Sequence, residues 1–434
     1  MKSLLDKVNA KLNAQGGFLK AVSVLVGGTA FAQGIGILSL PILTRLYSPE
    51  DFTLFAVYVS LLAILSVASC LRFEIAIPIP REDSEAVQLV LLALISSFLI
   101  SIFLGSMVWI FHTEILYLLK QPDFSNLIWL VPIGVLFSGI YNSLQYWATR
   151  RKQFPVIAKT RMVQSISGIS IQIIMGAAGF AALGLIVGQI VKVSAGIRSL
   201  TISFWGEAYE FLKKLKFSNL ENTFKKNDKY PKYSTFEALA NSAGIQLPVI
   251  IIAAFTVGAE AGFLMLAMQI MAIPMRFIGG AVSQVYLSYA PEKYKLGKLS
   301  SYTFDCILKL VKIGVIPLIV ICLLAPFIVP YVFGAKWERT GDMMIWMLPW
   351  FIMQLIVSPV SMSLHITGHQ RMALMLQTIG LVIRVGGLCL FGIYIDNYMF
   401  EYYAISGFIF YCIYLLVVFL IIKISDNQKR EVPL

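Results

Sequence analysis

The chain has 434 residues, of which 58% are hydrophobic and only 13% charged, with a formal net charge of +12. A soluble domain carries about 25% charged residues. A single large soluble enzyme is therefore excluded, and a mean hydropathy of +0.79 points to lipid as the main solvent. A surplus of positive charge also suits nucleic acid or an anionic membrane surface, so the location of the basic residues decides its meaning. The five cysteines, Cys70, Cys306, Cys322, Cys389 and Cys412, stand apart with no CxxC and no His–Cys cluster. They indicate neither a disulfide framework nor a zinc site.

About 20 apolar residues cross a bilayer as a helix. Met1–Lys20 is basic and polar, and the apolar run after it exceeds the roughly 7–15 residues of a cleavable signal core. The first span is thus expected to stay in the protein. In chain order the spans predicted are Val22–Leu43, Phe52–Leu71, Ala86–Phe111, Leu127–Trp147, Met162–Ala178, Ala181–Phe204, Phe236–Phe255, Ala261–Leu287, Leu308–Val332, Met343–His365, Met372–Tyr394 and Tyr402–Lys423. This is an all-α polytopic membrane protein of about 12 transmembrane helices. The fifth and sixth spans are nearly continuous.

Lys and Arg in short loops concentrate on the cytoplasmic side. With the N-terminus placed inside, the inside segments carry 27 of the 35 Lys and Arg residues and the outside loops only four: Arg45, Lys120, Lys336 and Arg339. Lys309 and Lys312 are counted here with the inside segment after the eighth span. The asymmetry puts both termini in the cytoplasm and assigns most of the +12 to topology.

The halves share a plan. Ile128-Trp129-Leu130-Val131-Pro132 and Ile345-Trp346-Met347-Leu348-Pro349 open the fourth and tenth spans, Arg72-Phe73 echoes Arg276-Phe277, and Pro41 echoes Pro248. All three pairs stand about half the chain apart. The expected organisation is a six-helix lobe over 1–204, a basic cytoplasmic linker over 205–232 and a second six-helix lobe over 233–434. Parallel repeats of this kind are a transporter architecture, with substrate held between the halves. Pro41, Pro248 and Pro274 lie in or at the ends of spans, where proline bends a helix. The linker's lysines, including Lys213-Lys214-Leu215-Lys216 and Lys225-Lys226, suit anionic lipid; no aromatic or base-reading module accompanies them, so nucleic acid is not expected as a partner.

The sharpest signal is ionisable groups within spans. Lys192, Arg276 and Arg384 fall near the middle of their predicted helices, where a cation costs roughly 2.5–3.5 kcal/mol on insertion scales. Arg198 is near enough to a helix end to snorkel. No Asp or Glu lies deep in any span, and Glu74 and Glu237 sit near cytoplasmic ends. A cationic interior without acidic partners predicts an anionic guest. The candidate anion contacts are Lys192, Arg276 and Arg384, with Arg72 and Arg45 at span ends, while Glu74 and Arg198 are candidate ion-pairing residues. His365 and His369 lack the Glu of HExxH, no P-loop is present, and no nucleophile–base set is readable. No metal, cofactor or catalytic role is expected.

Particular strings carry a resemblance. Pro41-Ile42-Leu43-Thr44-Arg45-Leu46-Tyr47-Ser48-Pro49-Glu50-Asp51-Phe52 resembles the end of the first helix in Wzx-type polysaccharide flippases, with Thr53 where that family often has Gly. Leu71-Arg72-Phe73-Glu74-Ile75-Ala76-Ile77-Pro78, the stretch from Tyr146-Trp147 to Arg151-Lys152, and Tyr230-Pro231-Lys232-Tyr233 leading to Asn241 and Gln246-Leu247-Pro248 are similar to segments of the same family. So are Gly262-Phe263 through Pro274 to Gly279, and Phe333-Gly334-Ala335-Lys336-Trp337. The resemblance spans the full length and places the chain in the multidrug/oligosaccharidyl-lipid/polysaccharide exporter superfamily. It implies a V-shaped two-lobe fold in a bacterial cytoplasmic membrane. It also implies passage of undecaprenyl-pyrophosphate-linked oligosaccharide, a lipopolysaccharide O-antigen repeat unit for instance, to the outer leaflet by alternating access. Membrane lipids and a polysaccharide polymerase or export machinery would be its partners. A proton or sodium ion as coupling ion stays open.

A small-molecule or drug antiporter of the same superfamily is the rival reading, although a cation exporter should carry an acid deep in a lobe. A membrane glycosyltransferase or polymerase would need a larger outer loop.

Overall fold

The computed structural model describes residues 17–213, 216–256, 258–394 and 398–431. Lys2, Lys7, Lys11 and Lys214 lie outside the described residues, as does the side chain of His365. Among the described residues the secondary structure is wholly helical. The chain divides into two compact units, Met1–Ala243 and Gly244–Leu434.

The first unit holds α1 (Gly17–Leu46), α2 (Pro49–Ala68), the short α3 (Phe73–Ala76), α4 (Asp83–Ile110), α5 (His112–Leu119), α6 (Leu130–Arg150), α7 (Phe154–Ala177), α8 (Ala181–Ser194), α9 (Ile197–Lys213) and α10 (Phe217–Lys226). A π turn, Tyr230–Ser234, leads into α11 (Thr235–Phe255), within which the division between the units falls. The second unit continues with α12 (Glu260–Pro274), a π turn (Met275–Gly279), α13 (Gly280–Lys295), α14 (Leu299–Leu310), a π turn (Val311–Val315) and α15 (Ile316–Phe333). After these come α16 (Glu338–Val360), α17 (Ser363–Ile366), α18 (Gln370–Leu381), a π turn (Val382–Gly386), α19 (Gly387–Tyr394) and α20 (Met399–Glu431).

Every predicted span coincides with one of these helices or with a pair joined through a π turn or break. Ten of the described rods are long and apolar enough to cross a membrane; α6 and α7 are long enough but not apolar enough. Ser138, Asn142 and Gln145 in the one, and Lys159, Arg161, Gln164 and Gln172 in the other, dilute their hydropathy. The fifth and sixth spans are separated by a tight turn in which Gly179 (φ 82°) and Ala181 (φ 46°) take left-handed conformations. The expected linker is itself helical and packs on the first unit. Phe224 of α10 lies 5.6 Å from Phe73, Thr223 donates to Gln88, and Lys226 pairs with Glu85 at 2.8 Å.

The corner between α1 and α2 shows why its sequence reads as it does. Ser48 and Asp51 form a reciprocal capping box, Ser48 N–H donating to Asp51 Oδ2 at 2.9 Å and Asp51 N–H to Ser48 Oγ at 3.2 Å, with Pro49 in the first helical turn. This satisfies backbone donors that an apolar solvent would leave bare. Tyr47, buried at the corner, donates its hydroxyl to the carbonyl of Gln172 at 2.6 Å. Its ring passes so close to Gly176 and Gly184 that a Cβ at either would collide with it. One side chain thereby ties α1 to α7 and α8.

In the second unit, Asp426 of α20 is buried and accepts from the backbone N–H groups of Leu299 (3.1 Å) and Ser300 (2.7 Å) and from the Ser300 hydroxyl (2.6 Å). The cap starts the helix at Leu299, well before the predicted Leu308. Lys309 and Lys312, just inside the predicted span, lie in this rod. Pro41 and Pro248 lie inside α1 and α11, and Pro274 closes α12 directly before its π turn. Gly184→Val should lower stability by about 1–3 kcal/mol through overpacking against Tyr47, read as a reduced unfolding temperature of the detergent-purified protein.

Candidate functional site

The candidate cations occupy different settings in the two units. Lys192 is exposed in the last turn of α8, its Cβ standing over Gly168 of α7. The rod breaks just beyond it, at Ala195 and Gly196, where Gly196 is left-handed (φ 91°) and a Cβ would meet Thr160 at 2.7 Å. Arg198, at the start of α9, and Arg45, in the last turn of α1, are both exposed. A further cation, Arg161, falls just outside the predicted fifth span, Met162–Ala178. Because α7 starts at Phe154, Arg161 lies two turns into the helix, where it donates to Thr29 Oγ1 of α1 at 2.6 Å.

Arg72 and Glu74 mark the break between α2 and α4. Leu71 (φ 48°) and Arg72 (φ 62°) are successive left-handed residues with side chains, a costly backbone for non-glycine residues. Arg72 Nη1 lies 3.5 Å from Glu74 Oε1, while Arg72 Nε and Glu74 Oε2 are buried without a hydrogen-bond partner. Burial pushes the Glu74 carboxyl above its ordinary value, against the weaker opposing pull of Arg72. Beside it, the thiol of Cys70 faces the Ser143 hydroxyl and the Gly139 carbonyl, each at 3.3 Å.

In the second unit each of the three π turns carries one basic residue: Arg276, Lys312 and Arg384. A π turn adds a residue to a helical turn and breaks the regular hydrogen-bond ladder, and such turns are frequent at functional sites. Around Arg384 the consequences are plain. The carbonyl of Ile383 accepts a hydrogen bond from Tyr402 Oη at 2.8 Å, and Gly387 is the residue that lets Tyr402 come so near. The Arg384 guanidinium carbon lies 4.6 Å from the Phe410 ring centre, 5.2 Å from Trp350 and 5.5 Å from Tyr411. Its Nε and Nη2 are buried without a hydrogen-bond partner. Cation–π attraction to three rings offsets part of its desolvation. By contrast Arg276 and Lys312 are exposed. Among the described residues no acidic side chain pairs with Arg276, Lys312 or Arg384.

Acid–base pairs occur instead at helix ends. Asp83 receives Arg150 at 2.8 Å and Arg151 at 3.0 Å, Arg151 also reaches Glu207 at 2.5 Å, and Arg151 stacks over Trp147. These contacts join α4, α6 and α9. In the second unit Arg339 lies 3.4 Å from both Glu260 and Glu401, joining α12, α16 and α20. Such clustered partners describe clamps between helices, whereas the exposed π-turn cations Arg276 and Lys312 have no acidic partner among the described residues.

The fold is that of transporters of the MOP superfamily. The chain is similar to a multidrug resistance MATE family transporter in an inward-facing conformation (TM-score 0.68, 15% identity, covering 95% of this chain and 100% of that one). It is likewise similar to the lipid II flippase MurJ in an inward closed conformation (TM-score 0.70, 14% identity, 93% and 90% covered). A third match is a MOP superfamily transporter from Pyrococcus furiosus whose binding pocket is described as of reverse polarity (TM-score 0.54, 17% identity, 95% and 96% covered). No curated protein matches the chain.

Within that fold the sequence is more specific. Residues 42–341 match the family described as polysaccharide biosynthesis protein, and the chain belongs to this family.

Glu74 yields a prediction about pH. Because its folded pKa is raised, the folded state holds a proton that the unfolded state releases, so stability falls as pH rises. The loss begins near the ordinary carboxyl value of 4.5 and runs up to the raised value. Unfolding temperature measured from pH 4 upward should show this decline in the wild type, and Glu74→Gln should remove it.

Proposed function

We propose that the protein is a flippase that carries a diphosphate-linked oligosaccharide on a polyprenyl anchor, undecaprenyl diphosphate, from the cytoplasmic to the outer leaflet of a bacterial cytoplasmic membrane. The observation that carries this reading is the set of in-span cations, Arg276, Arg384 and Lys192, in a chain of the polysaccharide biosynthesis family with a MOP transporter fold. A diphosphate is a compact anion that guanidinium and ammonium groups bind strongly away from water. The glycan needs a wet path, and the prenyl chain can stay in lipid. Two six-helix lobes that open alternately to either side would supply that path, with Pro41, Pro248 and Pro274 at the bends.

The acid–base clamps fit this division. Arg150 and Arg151 with Asp83 and Glu207, and Arg339 with Glu260 and Glu401, hold helices of one unit together and leave the π-turn cations free for an anion. MurJ, similar in fold, is named as a lipid II flippase.

Deleting the gene should make lipid-linked oligosaccharide accumulate in the inner leaflet and abolish the surface polysaccharide; normal export would overturn the reading. Arg276→Gln, Arg384→Gln and Lys192→Gln, introduced singly, should each lower surface polysaccharide at unchanged membrane abundance. Undiminished export in all three would remove the cationic path from the mechanism.

A further inference from the structure

We propose that Lys312 is a second phosphoryl contact that acts with Arg276 on the diphosphate of the lipid-linked substrate; the inference rests on the function proposed above. Its basis is the pairing of two π turns. The rods Glu260–Lys295 and Leu299–Phe333 are joined by the short connection around Gly297 and so run antiparallel as neighbours. Gly279, in the first π turn, and Gly314, in the second, stand almost equally far along the chain from that connection. Both face the same residue of α16: a Cβ at Gly279 would lie 3.6 Å from Leu355, and one at Gly314 would lie 2.7 Å from it. A Cβ at Gly314 would also lie 3.5 Å from Ile278, inside the other π turn. The two turns are therefore in register and in contact.

Each π turn sorts its residues the same way. The glycine is buried against α16, and the cation, Arg276 or Lys312, is exposed. The exposed neighbours are apolar: Phe277, Ile313 and Ile316. Lys312 and Gly314 are two residues apart, about 200° around the axis at roughly 100° per residue, so the glycine faces inward where the cation faces outward. A cation on an apolar transmembrane face is placed toward a bundle interior or a water-filled cavity rather than hydrocarbon. Two cations from contacting turns match a ligand with two adjacent ionised phosphoryl groups better than a ligand with one. Phosphatidylglycerol, abundant in bacterial membranes, offers a single phosphoryl group and is the competing source of the same chemistry.

The full-length chain purified in detergent is titrated with undecaprenyl diphosphate, undecaprenyl phosphate and phosphatidylglycerol, with binding read by native mass spectrometry. Lys312→Gln should weaken the prenyl diphosphate about tenfold, weaken the prenyl monophosphate much less, and leave phosphatidylglycerol unchanged. Lys312→Arg should restore diphosphate binding, and an unchanged unfolding temperature in both variants separates binding from folding. Wild-type affinity for the prenyl diphosphate in Lys312→Gln overturns the Lys312 contact, as does an equal loss of all three lipids. A wild-type chain that fails to bind the prenyl diphosphate overturns the lipid-diphosphate reading itself.

Discussion

In a lipid solvent every backbone carbonyl and N–H must find its partner within the protein, and the second unit is organised around the places where a helix departs from its own ladder. A π turn disturbs that ladder, so it persists only where neighbours compensate. At Val382–Gly386 the compensation is visible: Tyr402 donates to the Ile383 carbonyl, and Gly387 gives the tyrosine room. At Met275–Gly279 and Val311–Val315 the turns lean on each other and on Leu355. Each departure re-aims a basic side chain, which connects the hydrogen-bond bookkeeping of the backbone to the electrostatics of the interior.

The charges then fall into two populations with different physics. Arg150, Arg151 and Arg339 each meet carboxylates within 4 Å, at helix ends where water moderates the cost of ionisation. Asp426 is held differently, buried against the first N–H groups of α14, where a helix N-terminus favours an anion. Arg276, Lys312 and Arg384 have no such partner among the described residues. Arg384 meets the difficulty with aromatic faces, whereas Arg276 and Lys312 remain turned outward. A protein that only needed stability would gain by replacing these cations with leucine, since an isolated central charge costs roughly 2.5–3.5 kcal/mol.

Much of this was legible in the sequence because membrane solvation writes itself into hydropathy and loop charge. The positions of the spans, the aromatic and proline punctuation and the in-span cations Lys192, Arg276 and Arg384 all follow from it. The Leu46-Tyr47-Ser48-Pro49 corner was legible as a string, but its role became physical only with Tyr47 against Gly176 and Gly184. Two features were not readable. The π turns have no composition signature, since they depend on packing against α16 and α20. Arg161 falls just outside the predicted fifth span because α7 begins at Phe154, eight residues before the apolar stretch.

The positive-inside rule counts a lysine near an apolar boundary as a topological signal, and most of the +12 is of that kind. Yet the boundary of apolarity and the boundary of the helix differ by as much as two turns when a side chain such as Asp426 caps the helix early. A cation in such an interval, as Arg161 is near the start of α7, belongs to the rod rather than to the loop. Gly314 against Leu355 says more about the face that Lys312 takes than local hydropathy does. For a chain proposed to carry an anion, the informative pair is a buried glycine and an exposed basic residue within the same π turn.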